Sequence, residues 1–335
     1  FLGINLVRYL LAKGHEVNVL DVVDFSYDDC KKDVNFYLGS VTNAEQVKQA
    51  MMGCKFVVHA AAALPLYSDE EVMRTNVKGT EIVMQTAKSL GIFRVVYISS
   101  TAVYGVPEKI PVLETDQVVG VGTYGQSKII AEKICLDYRK GGMCVPIIRP
   151  KSFVGPERLG VFAIFFEWVK DGKNFPMIGD GKNKYQLLDV DDLCDAIYLC
   201  LAKDVKDVNA TFNIGAEVFL TMREDYQAVM NWSKSKKKIV NFPKAPVLMT
   251  LRGLNKVNMS PLYPWIYETA FKDSIVSVDR AKERLGWKAK YSNSQALIRS
   301  YKWYLNNYSQ LGQGTGVSHR KPWKQGVLKA MKLFF

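Results

Sequence analysis

The sequence predicts an α/β fold, a doubly wound parallel sheet followed by a smaller C-terminal lobe. Three observations lead there. Up to Pro150, short β-branched runs alternate with amphipathic stretches. The runs are apolar throughout, the pattern of strands covered by helices on both faces. Beyond Pro150 the alternation loosens, as a second lobe requires.

Leu2–Lys13 carries apolar residues at helical spacing and stops at Gly14, so it reads as a helix with a glycine terminator. Val17–Asp21, Val34–Leu38, Phe56–Ala60, Arg94–Ser99 and Val145–Arg149 read as strands, the last stopped by Pro150. Helices are expected between them at Ala44–Met52, Val72–Leu90 and Tyr124–Arg139. Phe162–Lys170 is a further expected helix, and Thr211–Gly215 a late strand returning to the sheet. Asn241–Ala270, rich in Pro, Leu, Trp and Tyr, reads as neither regular nor polar. Val278–Leu285 and Ser294–Tyr308 read as closing helices. The expected organisation is a first domain over 1–150 rejoined by 187–215, a lobe from 151–186 and 216–310, and a tail over 311–335.

At 335 residues and 48% hydrophobic, the chain can bury a large core. No apolar run reaches the roughly 20 residues that span a bilayer. The opening Phe1-Leu2-Gly3, without Met, implies an upstream segment. Cys30, Cys54, Cys135, Cys144, Cys194 and Cys200 are scattered, with no Cys-x-x-Cys and no clustering with histidine. That argues against a disulfide framework or a metal site and for a reducing, cytoplasmic setting. The net charge of +12 gathers at Lys234–Lys238 and in the tail from His319 to Lys332. Neither cluster forms a platform of alternating bases and aromatics, so solvated charge or attraction to anionic substrates or lipid is read in preference to nucleic acid.

A dinucleotide fold holds pyrophosphate at a glycine-rich turn between its first strand and first helix, where amides and the helix dipole meet the anion. Gly3 stands where the last glycine of that turn belongs. Asp21 ends the next strand at the distance expected of the acid that bonds the adenosine ribose, favouring NAD over NADP. The first strand of such a Rossmann sheet is missing from this sequence, and the strands beside it are expected to have unpaired edges.

The sharpest signal is Tyr124-Gly125-Gln126-Ser127-Lys128. Residues four apart share a helix face. A tyrosine, with a reference pKa of ~10, works as a base near neutrality only when a cation stabilises its phenolate. Lys128 is spaced to do so. Ser99-Ser100-Thr101-Ala102-Val103-Tyr104-Gly105 follows the fourth strand and offers a hydroxyl to a substrate oxygen.

These two elements together resemble the extended short-chain dehydrogenase/reductase superfamily, which contains the NAD-dependent epimerases and dehydratases. His59-Ala60-Ala61, Asn76-Val77-Lys78-Gly79-Thr80, Arg149-Pro150 through Gly155-Pro156, Asp189-Val190-Asp191-Asp192 and Phe212-Asn213-Ile214-Gly215 resemble its other landmarks in order. The resemblance implies Tyr124 as general base or acid. Lys128 lowers its pKa and binds the nicotinamide ribose. Ser100 polarises the substrate oxygen, with Thr101 as its neighbouring candidate. Ala60, Ala61 and Asn76 line the cofactor, and Phe153 packs near the nicotinamide. It also implies a homodimer through paired helices.

Gly179-Asp180-Gly181 resembles a nucleotide-sugar landmark, but Lys184-Tyr185-Gln186-Leu187 departs from the Arg-Asp-Phe-type element that follows it there, leaving Lys182 or Lys184 as phosphate partners. A nucleotide-sugar is nevertheless the first substrate expected. The apolar stretch from Pro243 through Trp265 to Phe271 reads either as the core of the small lobe or a dimer contact, or as a cover for a hydrophobic substrate, in which it resembles the 3β-hydroxysteroid dehydrogenase branch, which oxidises an apolar alcohol. A catalytically silent dinucleotide-binding protein is the third alternative. In the tail, Trp323, Val327, Leu328, Met331, Phe334 and Phe335 with Lys324, Lys329 and Lys332 read either as a frayed tail or a helix docked on the body, or as a basic amphipathic helix suited to peripheral membrane contact.

Overall fold

The computed structural model describes residues 1–157, 162–256 and 271–309, together with Ser260, Tyr267 and Thr269. Its centre is a four-stranded parallel sheet. In chain order the strands of the molecule begin with β1 (Val17–Asp21), β2 (Val34–Leu38), β3 (Phe56–His59), β4 (Arg94–Ile98) and β5 (Ile147–Pro150). β6 (Phe153–Val154), β7 (Phe175–Ile178), β8 (Leu188–Asp189), β9 (Thr211–Ile214) and β10 (Ile239–Phe242) follow. The central order is β3-β4-β5-β9, all parallel, and β1 and β2 pair in a parallel ladder of their own.

Side-chain alternation in β4 shows why its run is apolar throughout. Val95 and Tyr97 enter one core with α2 (Ala44–Met51), α4 (Gly79–Ser89) and α5 (Gly122–Lys140). Val96 and Ile98 enter the opposite core with α1 (Leu2–Ala12), α7 (Val190–Ala202) and the later helix α11 (Asp279–Leu285). Successive residues point to opposite faces, so a strand covered on both must be apolar at each position.

The lobe has its own core. α6 (Phe162–Lys170), α9 (Met222–Trp232) and α12 (Asn293–Asn307) pack around Phe165, Phe166, Met230, Leu297 and Tyr301, beside the parallel pair β7–β10. Phe165 stacks on Tyr226 at 4.5 Å. Capping boxes at Thr221/Glu224 and Ser292/Gln295 satisfy the first amides of α9 and α12. No helix among the described residues is long and apolar enough to cross a membrane.

Several expectations need correction. The stretch read as irregular from Asn241 contains the end of β10 and the helix α10 (Lys244–Lys256). Pro246 misled the reading, because it sits in the first turn of α10, where an amide has no intrahelical partner to lose. Leu262–Trp265 and the tail over 311–335 lie outside the described residues. The helix expected over Val72–Leu90 begins earlier, at α3 (Asp69–Met73), capped by Ser68, and passes through a π-turn over Arg74–Lys78 before α4. β5 retains Pro150, because Ile214 of β9 pairs with it while β4 has already ended. The remaining helix, α8 (Val205–Val208), is short.

Arg94 ties the sheet to α7. It is 2% exposed and donates to the carbonyls of Cys200 and Leu201, both at 2.7 Å, at the C-terminal end of that helix. A cation there satisfies orphan carbonyls and complements the helix dipole. Arg94→Met should therefore lower unfolding free energy by about 3 kcal/mol, the cost of stranding buried acceptors. Urea denaturation measures it, and a loss below about 1 kcal/mol would contradict this account.

Candidate active site

The site assembles at the C-terminal edge of the central sheet. The chain reaches α5 through Gly120 and Gly122, both with positive φ (+61° and +65°). A Cβ on Gly120 would lie 2.9 Å from the backbone carbon of Gly125, and one on Gly125 would lie 3.1 Å from the carbonyl oxygen of Ala102. Absence of side chains here lets the turn and the 3-10 helix Thr101–Tyr104 seat against α5 directly beside Tyr124.

Lys128, one turn beyond half-buried Tyr124, is 2% exposed. Its Nζ donates to the carbonyl of Ile98, the last residue of β4, at 2.9 Å and stands 5.1 Å from the centre of the Tyr97 ring. Burial pulls its pKa down to about 8, while the Glu132 carboxylate one turn further along opposes that fall. Burial and the Lys128 charge push His59 down to about 3, so it is neutral. The Thr80 hydroxyl donates to the Asn76 carbonyl at 2.6 Å, which leaves it to accept from His59 Nε2 at 3.0 Å.

Ser100, just past β4, caps the 3-10 helix by accepting from the Ala102 amide at 3.1 Å. Thr101 is turned away, donating to the Pro150 carbonyl at 3.3 Å. Beneath Ser100 lies a buried polar network absent from the sequence reading. Ser99 donates to Glu132 at 2.5 Å, and Arg149 meets the same carboxylate twice, at 2.9 and 2.6 Å. Arg149 also donates to the Tyr104 hydroxyl at 2.8 Å, and that hydroxyl to Asn213 at 2.7 Å. Burial works against the Arg149 charge, but the hydrogen bond and charge of Glu132 outweigh it and hold the guanidinium above its ordinary pKa. Arg149, Tyr104 and Asn213 belong to motifs noted in the sequence, whereas Glu132 is signalled there only by its i+4 spacing from Lys128.

The other anticipated residues are placed less uniformly. Gly3 is in the first turn of α1, and a Cβ on it would meet nothing within 4 Å. Asp21 ends β1, exposed, accepting from the Val23 amide at 2.9 Å. Ala60 and Ala61 follow β3, half-buried. Asn76 is 1% exposed, and its amide bonds both backbone groups of Ala63 and the Ser127 hydroxyl. It thereby fixes the loop after β3 to α5 at the position preceding Lys128. Phe153 stacks on Phe1 with ring centres 5.3 Å apart. Lys182 and Lys184 are exposed on the turn after Gly181.

Glu132→Gln should cost about 3–5 kcal/mol by leaving the buried Arg149 charge incompletely paired. It should also move the Lys128 titration lower than about 8, since the opposing carboxylate is gone. Denaturation and NMR of isotopically methylated lysine read the two effects. An unchanged Lys128 titration would remove Glu132 from the site.

The chain matches the model of the family described as "NAD dependent epimerase/dehydratase family" over residues 1–215. It is 34% identical to the uncharacterized protein y4nG of Sinorhizobium fredii, over 98% of this chain and 82% of that one. It is 30% identical to the decarboxylating sterol-4-alpha-carboxylate 3-dehydrogenase of Bos taurus, over 55% of this chain and 52% of the relative, about half of its length. Among solved structures, UDP-glucose 4-epimerase of Thermotoga maritima with UDP-glucose superposes with a TM-score of 0.76 at 22% identity, covering 92% of this chain and 96% of that one. With its parallel sheet and the family match extending from the first residue through β9, the chain belongs to the NAD-dependent epimerase/dehydratase family.

Proposed function

We propose that the chain is an oxidoreductase of the epimerase/dehydratase type that interconverts a secondary hydroxyl and a keto group at a carbon held between Ser100 and Tyr124. The observation that carries this reading is Lys128, a lysine sealed from water, anchored on the last carbonyl of β4 and one turn from Tyr124. An ammonium so placed lowers the cost of a neighbouring phenolate. Tyr124 takes the hydroxyl proton in the oxidising direction and returns it in the other. Ser100 keeps its own proton available for the substrate oxygen, because its cap bond uses only a lone pair.

NAD, when bound, supplies the hydride acceptor. The residues fit it. The open side of α1 at Gly3 leaves room for close approach of phosphate, and the exposed Asp21 carboxylate suits ribose hydroxyls and repels a 2′-phosphate. Ala60 and Ala61 present small side chains at the end of β3, Asn76 holds the loop that follows them, and Phe153 offers an aromatic wall.

A nucleotide-sugar is the first substrate reading, supported by the fold shared with UDP-glucose 4-epimerase. The second, oxidation of an apolar alcohol, is favoured by Val119 and Val121, which are 57% and 60% exposed in the turn leading into α5, and by Val106, 46% exposed after the 3-10 helix. A Cβ on Gly105 would touch Val121 at 3.3 Å and Val119 at 3.8 Å, so these two side chains form one apolar rim beside the 3-10 helix. An epimerase or dehydratase returns its hydride and shows no net NADH, whereas a dehydrogenase accumulates NADH in step with substrate loss. Mass spectrometry of small molecules retained by the purified protein identifies the class to assay.

Tyr124→Phe should lower turnover by roughly a hundred- to ten-thousand-fold, with NAD affinity and melting temperature preserved. In the oxidising direction, kcat/KM should fall as pH rises through about 8, where Lys128 gives up its proton. NAD binding with no turnover in either the unaltered protein or Tyr124→Phe would favour a silent dinucleotide-binding protein.

A further inference from the structure

Four cationic side chains are buried among the described residues: Arg94, Lys128, Arg149 and Lys151. The first three have evident compensation, from helix-end carbonyls, from a strand carbonyl with a carboxylate one turn away, and from Glu132. Lys151 has none. It is 3% exposed, its Nζ donates to the Ser274 hydroxyl at 2.5 Å, and the Tyr185 ring centre lies 4.9 Å away. No carboxylate of the described residues pairs with it, and burial alone brings its pKa down to about 7.

Its place in the fold is informative. Lys151 follows β5 directly, its amide bonded to the Ile214 carbonyl at the end of β9. The preceding residue, Pro150, receives the Thr101 hydroxyl, so Lys151 springs from the backbone beside the Ser100 loop. Ser152, Tyr185 and Ser274 are each partly exposed, which sets the amine one side chain below the surface at the substrate edge of the sheet. The Ser152 and Tyr185 hydroxyls lie 3.0 Å apart. An ammonium whose one side-chain hydrogen-bond partner among the described residues is the Ser274 hydroxyl matches a group of single negative charge with acceptor oxygens. A diphosphate, with more charge to neutralise, asks for more cations than this position offers.

We propose that Lys151 is a specificity-determining residue whose ammonium group receives a carboxylate carried by the substrate close to the hydroxyl under oxidation. The proposal rests on the oxidoreductase reading above and narrows its substrate class to hydroxy acids. Recognition involves no bond making. The incoming carboxylate replaces the Ser274 hydroxyl as the principal partner of the amine.

The test compares ligand pairs that differ in a carboxylate, UDP-glucuronate against UDP-glucose and a 3β-hydroxysterol with and without a 4α-carboxylate. Binding is measured by calorimetry in the presence of NAD, on the unaltered protein and on Lys151→Met. In at least one pair the carboxylated member should bind about tenfold or more tightly to the unaltered protein, a preference shrinking below about twofold in Lys151→Met. Methionine fills the volume of the lysine stem and removes an uncompensated charge, so the melting temperature should hold or rise. A preference that survives in Lys151→Met, no preference in either pair, or a melting temperature several degrees lower would overturn the proposal. Absence of any Tyr124-dependent turnover in the unaltered protein, with the carboxylate preference intact, would count against the oxidoreductase reading and leave Lys151 in place.

Discussion

The Glu132–Arg149 pair is the interaction on which the rest of the site depends. Each side chain is almost fully enclosed, 4% and 7% exposed, so neither charge is tolerable without the other. Their burial is offset because nearly every lone pair and proton is used. Glu132 accepts from Ser99 as well as from Arg149, and Arg149 reaches on to Tyr104 and the Glu114 carbonyl. Asn213 continues the chain by accepting from Tyr104 and donating to the Val112 carbonyl. The pair thus joins α5, the ends of β4, β5 and β9, and the loop before α5 in one polar lattice. Ser100 is the neighbour of one member, and Lys128 stands one helical turn from another. The spacing between serine and lysine is therefore set by buried hydrogen bonds and not by the mobility of a loop.

Much of this fold was legible in the sequence because its signals are local. Strand ends are marked by apolar runs that stop, and β1, β2 and α6 fall where periodicity puts them. Tyr124 and Lys128 are legible for the same reason, since helical geometry alone brings residues four apart together. The failures arise where a local rule has a positional exception or where the information is not local. Pro246 breaks a helix interior but is tolerated in a first turn, so α10 was hidden. The π-turn over Arg74–Lys78 inserts a residue into an otherwise unbroken helical pattern and re-aims Asn76 toward Ala63 and Ser127. Glu132 and Arg149 lie on different elements, and no sequence period links them.

Lys151 is the clearest case of that second kind. Lysine is so regularly exposed that a single one within an Arg-Pro to Gly-Pro segment carries no warning in the sequence. Only the packing of Tyr185 and Ser274 over it makes it unusual. Those two residues do not come from the sheet. They are bridged to each other, and the Tyr185 carbonyl is held by Asn293 of α12, whose amide also meets Asp225 of α9.

On the roles proposed for them, the two buried lysines divide the labour of the site along the line between sheet and lobe. Lys128 is bound to the sheet side, through Ile98 and the Glu132 lattice, and among the described residues no lobe side chain pairs with its charge. Lys151 starts on the sheet and ends on lobe residues. A change of substrate through α9, α12 or the loop bearing Tyr185 would alter what surrounds Lys151 while leaving the Tyr124–Lys128 geometry intact. On the proposed function, reaction chemistry common to a family and substrate preference particular to a member are separable, because the first is held by a closed polar network and the second by an ammonium that no carboxylate of the described residues pairs.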